Sequence, residues 1–163
     1  MSTEFLSGLA RWGHHPRYNE GILHFTRGEF EAAAECFEAV LGEVRDRANP
    51  DFSLASVHAA QARANLGLAF FHAGNFPRAE QEFSLALAGK EGFPDLRYLR
   101  ARIYERSGRL EDAVADLERA LADHPRYIEA HLLLAVCLGQ MGQGLRSAVS
   151  LERALELGFD LPA

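Results

Sequence analysis

The sequence predicts an all-α fold, a solenoid built from four helix-turn-helix hairpins. The first observation is a recurring glycine: Gly74, Gly108 and Gly142 are equally spaced, and Gly28 precedes Gly74 at a longer interval. The second is that small and bulky residues follow each glycine in a fixed order. The third is that the long apolar segments have the 3.6-residue spacing of amphipathic helices. A period of about 34 residues indicates stacked repeats.

Three columns of residues keep the same register relative to these glycines. They hold small residues, bulky apolar residues and leucines, and their members are Ala33, Ala79, Ala113 and Ser147, then Phe37, Phe83, Leu117 and Leu151, then Leu41, Leu87, Leu121 and Leu155. The small residue is predicted to let the two helices of a hairpin approach closely, and the bulky residues to fill the groove between them. One hairpin cannot bury its apolar stripe alone, so the hairpins must stack.

Each hairpin has start and stop signals. The glycine ends the first helix, because glycine adopts the left-handed conformation of a C-cap without steric penalty. In the second hairpin Pro77 lies in the first turn of the next helix, where a missing N–H costs nothing. The repeats are predicted at residues 14–47, 54–92, 94–126 and 128–158. Residues 1–13 are predicted to form an amphipathic segment that caps the first hairpin.

The first glycine interval, from Gly28 to Gly74, is longer than the two that follow. Asn49-Pro50 is a turn signal inside this interval, and Asp51 or Ser53 can cap the helix that follows. The extra residues are therefore predicted to lengthen both the second helix of the first hairpin and the first helix of the second hairpin.

The second hairpin carries a known combination of motifs, in Leu66-Gly67, Phe70, Gly74, Phe76, Ala79, Phe83 and Ala86-Leu87. This combination resembles the tetratricopeptide repeat family. The resemblance covers about residues 14–158, and the long first interval is similar to the kinesin-light-chain-like branch. It implies a right-handed superhelical solenoid whose first helices line a concave groove. The fourth hairpin departs from the motif, because Gly144 replaces the bulky residue after the turn.

Composition and charge disfavour several function classes. The chain has 163 residues, and no apolar run approaches the roughly 20 residues that cross a bilayer. Its net charge of −6 argues against nucleic-acid binding, which needs a basic face. Two cysteines and a start without a signal-peptide pattern suggest the cytoplasm. Lys90 is the single lysine among 17 basic residues, a bias that suggests a bacterial source.

Motifs for catalysis, cofactors and metals are absent from the sequence. The seven histidines form neither H-E-x-x-H nor H-x3-H, and there is no P-loop or G-x-G-x-x-G. Cys36 and Cys137 lie in apolar helical patterns and are expected to be small core residues. The sequence therefore predicts a protein that is not an enzyme, with no cofactor and no metal ion.

The predicted binding surface is the groove that the resemblance implies. Its expected residues are Tyr18, Asn19, Ile22, Phe25, Asn65, Leu68, Phe71, His72, Tyr98, Arg102 and Arg106. Helical spacing indicates two stripes, at positions 18, 22 and 25 and at positions 64, 68 and 71. For Phe25 and Phe71 the pattern fits a place in the core as well as a place in the groove.

Asn19 and Asn65 each precede a glycine by two residues. The resemblance implies that they hydrogen-bond the backbone of a peptide, for which an amide offers one acceptor and two donors. The family's carboxylate clamp, which holds the acidic C-termini of heat-shock chaperones, would need lysine and asparagine where Tyr18 and Ile22 stand. A heat-shock co-chaperone role is therefore not expected.

Arg102 and Arg106 are four residues apart and share one side of a helix. They can bind a carboxylate of a ligand, or pair on the surface with Glu105, Glu111 and Asp112. The sequence thus predicts an adaptor or scaffold that binds an extended or helical segment of a partner protein, an acidic one if these arginines bind it, away from membranes. Three alternatives remain: a chaperone that masks a hydrophobic segment, a scaffold that forms a weak homodimer, and an RNA-binding helical repeat.

Overall fold

The computed structural model describes residues 15–88 and 92–158. Eight helices lie in these ranges, and no strand does. The helices are α1 (Pro16–Thr26), α2 (Phe30–Glu43), α3 (Pro50–His72), α4 (Phe76–Ala86), α5 (Pro94–Arg106), α6 (Leu110–Asp123), α7 (Ile128–Gln140) and α8 (Gly144–Glu156). The predicted all-α fold of four hairpins is confirmed. The predicted capping segment, residues 1–13, lies outside the described residues.

The described residues form two compact units, one within residues 1–89 and one within residues 90–163. In the first unit α1 packs on α2, α2 on α3 and α3 on α4. In the second unit α5, α6, α7 and α8 pack in the same consecutive way. Each unit is thus a stack of two hairpins, as expected for a repeat in which an element contacts its neighbours in sequence. None of the described helices combines the length and the hydropathy that a membrane span requires.

The turn of every hairpin contains a glycine in the left-handed region. Gly28, Gly74, Gly108 and Gly142 have φ angles of 79°, 75°, 75° and 74°. After each glycine the next N–H donates back to the end of the first helix, as from Asn75 to the Phe70 carbonyl at 2.9 Å. Gln143 donates to the Leu138 carbonyl at 2.8 Å in the same way, although Gly144 departs from the motif. The fourth hairpin therefore has a regular turn.

The long first interval is accommodated differently from the prediction. Helix α3 has 23 residues, whereas α1, α5 and α7 have 11, 13 and 13. Helix α2 has 14 residues, as does α6, so the predicted lengthening of the first hairpin's second helix is wrong. The cap of α3 is also not Asp51 or Ser53. The Asn49 side chain accepts a hydrogen bond from the Asp51 N–H at 2.8 Å, and Pro50 follows at the first helical position.

Each unit has its own hydrophobic core between its helices. The buried core of the first unit consists of Tyr18, Ala33, Ala34, Phe37, Val40, Ala55, Ala59 and Ala62. That of the second consists of Ala101, Tyr104, Ala113, Val114, Leu117, Ala130, Leu134, Cys137 and Leu138. The small-residue and bulky apolar columns predicted from the sequence are fully buried in the first three hairpins. In the fourth, Leu151 is 37% exposed, because no further described helix packs on α8.

Candidate functional site

Helices α1 and α3 carry two matched stripes of residues that are at least partly exposed. On α1 the stripe is Asn19, Ile22 and Thr26, and on α3 it is Asn65, Leu68 and His72. The members correspond one to one, at the same interval that separates Gly28 from Gly74. Thr26 and His72 are exposed, and the other four are partly exposed. Ile22 also packs partly against the core of the first unit. We refer to these six residues as the α1/α3 face.

Two predicted groove residues of α1 pack toward the core. Tyr18 is only 7% exposed, and its hydroxyl lies 3.2 Å from Nδ1 of His58. Burial, with the nearby Asp51 carboxylate, raises the pKa of the Tyr18 phenol. Phe25 packs against the same core, with its ring centroid 5.5 Å from that of Phe30. Tyr18 therefore does not offer the open surface that was predicted for it, and for Phe25 the contacts favour the core among the two alternatives that the sequence left open.

Phe71 likewise lies between helices. Its ring centroid is 5.6 Å from that of Phe76 and 6.3 Å from that of the fully buried Phe83, both on α4. Its neighbour His72 is exposed. Of the alternatives that the sequence left open for Phe71, the contacts favour the α3–α4 interface over the α1/α3 face.

The second unit carries the positions that correspond to Leu68 and His72, one repeat later on α5 and two repeats later on α7. They are Arg102 and Arg106 on α5, and Val136 and Gln140 on α7, which we call the α5/α7 face. All four are exposed. The Gln140 amide donates to Glu105 at 3.2 Å, which joins α7 to α5.

Tyr98 lies between the second core and Arg102 of the α5/α7 face. Its ring packs against the second core and lies 5.2 Å from the ring of Tyr127, centroid to centroid. The guanidinium carbon of Arg102 lies 5.9 Å from the Tyr98 centroid, within cation–π range. Burial, followed by Asp95, raises the pKa of Tyr127, so this phenol stays neutral. The exposed Arg102 therefore packs over a pair of aromatic rings.

Sequence reasoning missed three partly buried ion pairs, made by two arginines, that join neighbouring helices. Arg63 donates to both carboxylate oxygens of Glu38 at 2.8 Å and to Glu82 at 3.1 Å. Arg100 donates to both oxygens of Asp116 at 2.6 and 2.7 Å. Glu82 and Asp116 are 2% and 3% exposed. The available signal was that these two acids occupy the same position in consecutive repeats.

The two cysteines differ. Cys137 is fully buried, as expected, and its burial, with the nearby Glu105, raises the pKa of the thiol to about 11. Cys36 is only partly buried, so the expectation of a core residue is wrong for it. Burial and then Glu20 raise the pKa of the Cys36 thiol. Neither thiol has the lowered pKa that marks a catalytic nucleophile.

Two family models match the chain, and both are described as tetratricopeptide repeat. One matches residues 18–94 and the other residues 94–137. No curated protein sequence matches the chain.

Several solved structures are similar to the chain in fold. YrrB, described as a TPR protein with an unusual peptide-binding site, is 18% identical with a TM-score of 0.61, over 90% of this chain and 69% of that chain. The first TPR of Spaghetti (RPAP3), bound to the HSP90 peptide SRMEEVD, is 22% identical with a TM-score of 0.59, over 63% and 81%. MamA is 18% identical with a TM-score of 0.56, over 90% and 96%. At these identities the similarity establishes the helical repeat fold alone.

Proposed function

We propose that this chain, which belongs to the tetratricopeptide repeat family, is a non-enzymatic module that binds a segment of a partner protein. Similar folds include one solved with a bound peptide and one described by its peptide-binding site. The observation that carries the proposal is the repetition of an amide, an aliphatic side chain and a polar side chain on both helices of the α1/α3 face.

The α1/α3 face suits the backbone of an extended peptide. The amides of Asn19 and Asn65 each offer one acceptor and two donors, which match a peptide group without reading its side chain. Leu68 and the part of Ile22 that the core leaves exposed lie one turn further along and supply apolar surface for an anchoring side chain. Burial of such an anchor contributes about 25 cal/mol per Å² of apolar area. The face therefore combines backbone recognition with one apolar contact from each helix.

The α5/α7 face of the second unit, taken by itself, suits acidic side chains. Arg102 and Arg106 are exposed on the same side of α5, and guanidinium groups bind carboxylates with paired hydrogen bonds. Val136 is 48% exposed beside them on α7 and offers an apolar contact. We infer that a segment bound on the α5/α7 face contains acidic residues next to an aliphatic one.

The test is selection of peptides from a displayed random library on the purified full-length chain, followed by affinity measurement. Enrichment should yield peptides with an aliphatic anchor, which the α1/α3 face suits, and peptides that combine acidic and aliphatic residues, which the α5/α7 face suits. The double variant Asn19→Ala, Asn65→Ala should weaken the binding of the peptides that the α1/α3 face selects by roughly 1–3 kcal/mol per lost amide. Gln81→Ala removes an exposed amide from α4 and is the matched control. Equal affinity in the double variant and the control would remove the α1/α3 face from the binding site.

A second candidate function is self-association through α8. Four apolar residues of this helix are exposed: Leu145 at 89%, Val149 at 64%, Leu155 at 39% and Leu151 at 37%. Leu151 belongs to the column that is fully buried in the other three hairpins. Arg146, Glu152, Arg153 and Glu156 place both signs of charge around the apolar residues, as a self-complementary contact requires. A second copy of α8 is therefore the partner that fits, which gives a weak homodimer.

The finer assignments follow from the same features. We propose that the protein is bacterial and cytoplasmic on the basis of its composition. The 23-residue length of α3 supports the proposed similarity to the kinesin-light-chain-like branch.

An adaptor and a chaperone differ in what they bind. The adaptor proposed here recognises a peptide with acidic residues, whereas a chaperone of hydrophobic segments would enrich purely apolar peptides in the same selection.

A further inference from the structure

Three side chains of metal-ligating type converge between the first two helices, outside the α1/α3 face. Glu20 and His24 are four residues apart on α1, and Cys36 lies on α2. One carboxylate oxygen of Glu20, one ring nitrogen of His24 and Sγ of Cys36 all lie within 4.8 Å of one another. Glu20 is exposed, and the other two are partly buried. The cluster is thus accessible from solvent.

The repeat register explains why these side chains meet. Glu20 and Cys36 in the first hairpin occupy the positions that Arg100 and Asp116 occupy in the third. In that later hairpin the two side chains contact each other directly, at 2.6 and 2.7 Å. In the first hairpin Glu20 stands at the position of Arg100, and Cys36 stands at the position of Asp116. The first hairpin therefore has a carboxylate and a thiol where the third hairpin has an arginine–aspartate pair. The nearby Arg17 pairs with Glu43 at 3.0 Å instead.

Glu29 orients the imidazole of the cluster. Nδ1 of His24 hydrogen-bonds to the Glu29 carboxylate. A carboxylate accepts only, so Nδ1 carries the proton of the neutral ring, and Nε2 keeps the lone pair that a metal ion needs. A carboxylate on the second ring nitrogen is the usual outer partner of a histidine that ligates a metal.

We propose that Glu20, His24 and Cys36 bind a divalent transition-metal ion, and that Zn²⁺ fits this donor set best. Zinc binds thiolate, imidazole and carboxylate at about 2.0–2.3 Å. Its tetrahedron separates ligand atoms by about 3.5 Å. Ligand atoms that lie within 4.8 Å of one another therefore need to close by up to about 1.3 Å. Three protein ligands leave the fourth position to water. Magnesium and calcium prefer all-oxygen sites and are excluded by the thiol and the imidazole.

Cobalt(II) titration of the purified, metal-free full-length chain tests the site. Co²⁺ replaces Zn²⁺ and reports a bound thiolate by a charge-transfer band in the near ultraviolet. We expect this band in the wild type, and added Zn²⁺ should remove it. Cys36→Ser should abolish the band, whereas Cys137→Ala should retain it, because Cys137 is fully buried elsewhere. A wild type without the band, or a band that persists in Cys36→Ser, would overturn the proposal.

The repeat itself supplies substitutions that the fold accepts. Serine stands in the register of Cys36 at Ser150, phenylalanine in that of His24 at Phe70, and leucine in that of Glu20 at Leu66. Cys36→Ser, His24→Phe and Glu20→Leu should therefore keep the wild-type circular dichroism while each weakens Zn²⁺ binding by more than about a hundredfold, beyond an outer-partner effect. Wild-type zinc affinity in any of the three folded variants contradicts the assignment of that ligand.

Glu29 is a positioning residue, because it orients the His24 ring without contacting the metal ion. Glu35→Gln, which removes the same charge, is the control for Glu29→Gln. Glu29→Gln should weaken Zn²⁺ binding by about 10–100-fold, because it removes the carboxylate that fixes the ring. Glu35→Gln removes the same charge from the residue beside Cys36 and should change zinc affinity by less than about threefold. Equal losses in both variants would mean that zinc is attracted by net charge alone, which contradicts a built site.

Discussion

Gly67 lies directly against the ring of Phe83: a Cβ at position 67 would be 2.6 Å from Cδ1 of that ring. The first hairpin repeats the contact, since a Cβ at Gly21 would lie 2.7 Å from Cε1 of Phe37. In the third hairpin the same two positions hold Ala101 and Leu117, which are both fully buried in the second core. At these two facing positions the side-chain sizes therefore compensate each other: glycine faces phenylalanine in the first two hairpins, and the larger alanine faces the smaller leucine in the third.

This compensation of size predicts that Gly67→Ala destabilises the protein, although a glycine-to-alanine change in a helix interior normally stabilises it. Alanine normally stabilises a helix interior by about 1 kcal/mol relative to glycine. In Gly67→Ala the new methyl group meets the fully buried Phe83 ring, so we expect a net loss of roughly 1–3 kcal/mol in the free energy of unfolding. In a Phe83→Leu background the same change should stabilise the protein. Urea unfolding of the wild type, the two single variants and the double variant gives the effect of Gly67→Ala in both backgrounds. An effect of the same sign in both would show that the contact with the Phe83 ring does not determine the outcome.

The ion pair of Arg100 and Asp116 predicts a large loss from removal of one partner. Arg100→Leu leaves the Asp116 carboxylate, which is 3% exposed, without its paired donors. We expect a loss of about 3–5 kcal/mol. Arg153→Leu breaks the exposed pair with Glu156 and should change stability by less than about 1 kcal/mol.

The double variant Arg100→Leu, Asp116→Leu completes this comparison. It removes the stranded charge, so it should recover most of the stability lost in Arg100→Leu. Thermal unfolding checks all three proteins. A loss in Arg100→Leu that is no larger than that in Arg153→Leu would contradict a net role for the pair.

Cys137 predicts a loss of stability at high pH. Its thiol has a pKa raised to about 11 by burial and Glu105, above the value in the unfolded chain. Folding therefore favours the neutral thiol, and its contribution is complete below the unfolded pKa and disappears as the pH rises through about 11. The stability advantage of wild type over Cys137→Ala should shrink between about pH 9 and 11. Urea unfolding at four pH values measures it, and parallel curves for the two proteins would contradict the burial of an ionisable thiol.

The glycine positions and the repeat columns could be predicted from the sequence because both follow from local backbone and packing rules. The left-handed turn at Gly74 needs only glycine, and the burial of Phe83 follows from its register. The length of α3 was harder, because Asn49 competes with Asp51 and Ser53 as a cap and only the folded chain shows which one begins the helix.

The orientation of the first helices could not be predicted to within one residue. Positions 18, 22 and 25 and positions 19, 22 and 26 both contain Ile22 and both fit helical spacing. The packing of α2 decides between them, since it buries Tyr18 and leaves Asn19 partly exposed. Contacts between helices are also what bring Glu20 and His24 to Cys36, and no spacing motif in the sequence encodes that meeting.

The exposed apolar side of α8 predicts concentration-dependent association. Val149→Asp places a charge at a position that is 64% exposed, so it should leave the fold intact while it opposes contact with a second copy. Sedimentation velocity over a hundredfold range of concentration should show a weak dimer for wild type and a monomer for the variant. Leu23→Asp, at a position 47% exposed on α1, is the control and should associate as wild type does. A wild type that stays monomeric throughout excludes the homodimer.

Leu68 and Phe71 are three residues apart on α3, and their contacts predict opposite consequences for the same substitution. Leu68→Glu puts a carboxylate on the partly exposed α1/α3 face, so the protein should stay folded and lose peptide binding. Phe71→Glu puts a carboxylate against the rings of Phe76 and the fully buried Phe83, and the desolvation of that carboxylate should unfold the second hairpin.

Leu85→Glu provides the matched control, because Leu85 is a leucine that is 45% exposed on α4, away from the α1/α3 face. It should retain both the fold and the affinity for the selected peptides. Circular dichroism measures folding, and fluorescence anisotropy with a selected peptide measures binding. A folded Phe71→Glu protein that has lost peptide binding would return Phe71 to the binding surface. A folded Leu68→Glu protein that binds as tightly as Leu85→Glu would place the peptide elsewhere, since a carboxylate in the middle of an occupied apolar contact must cost affinity.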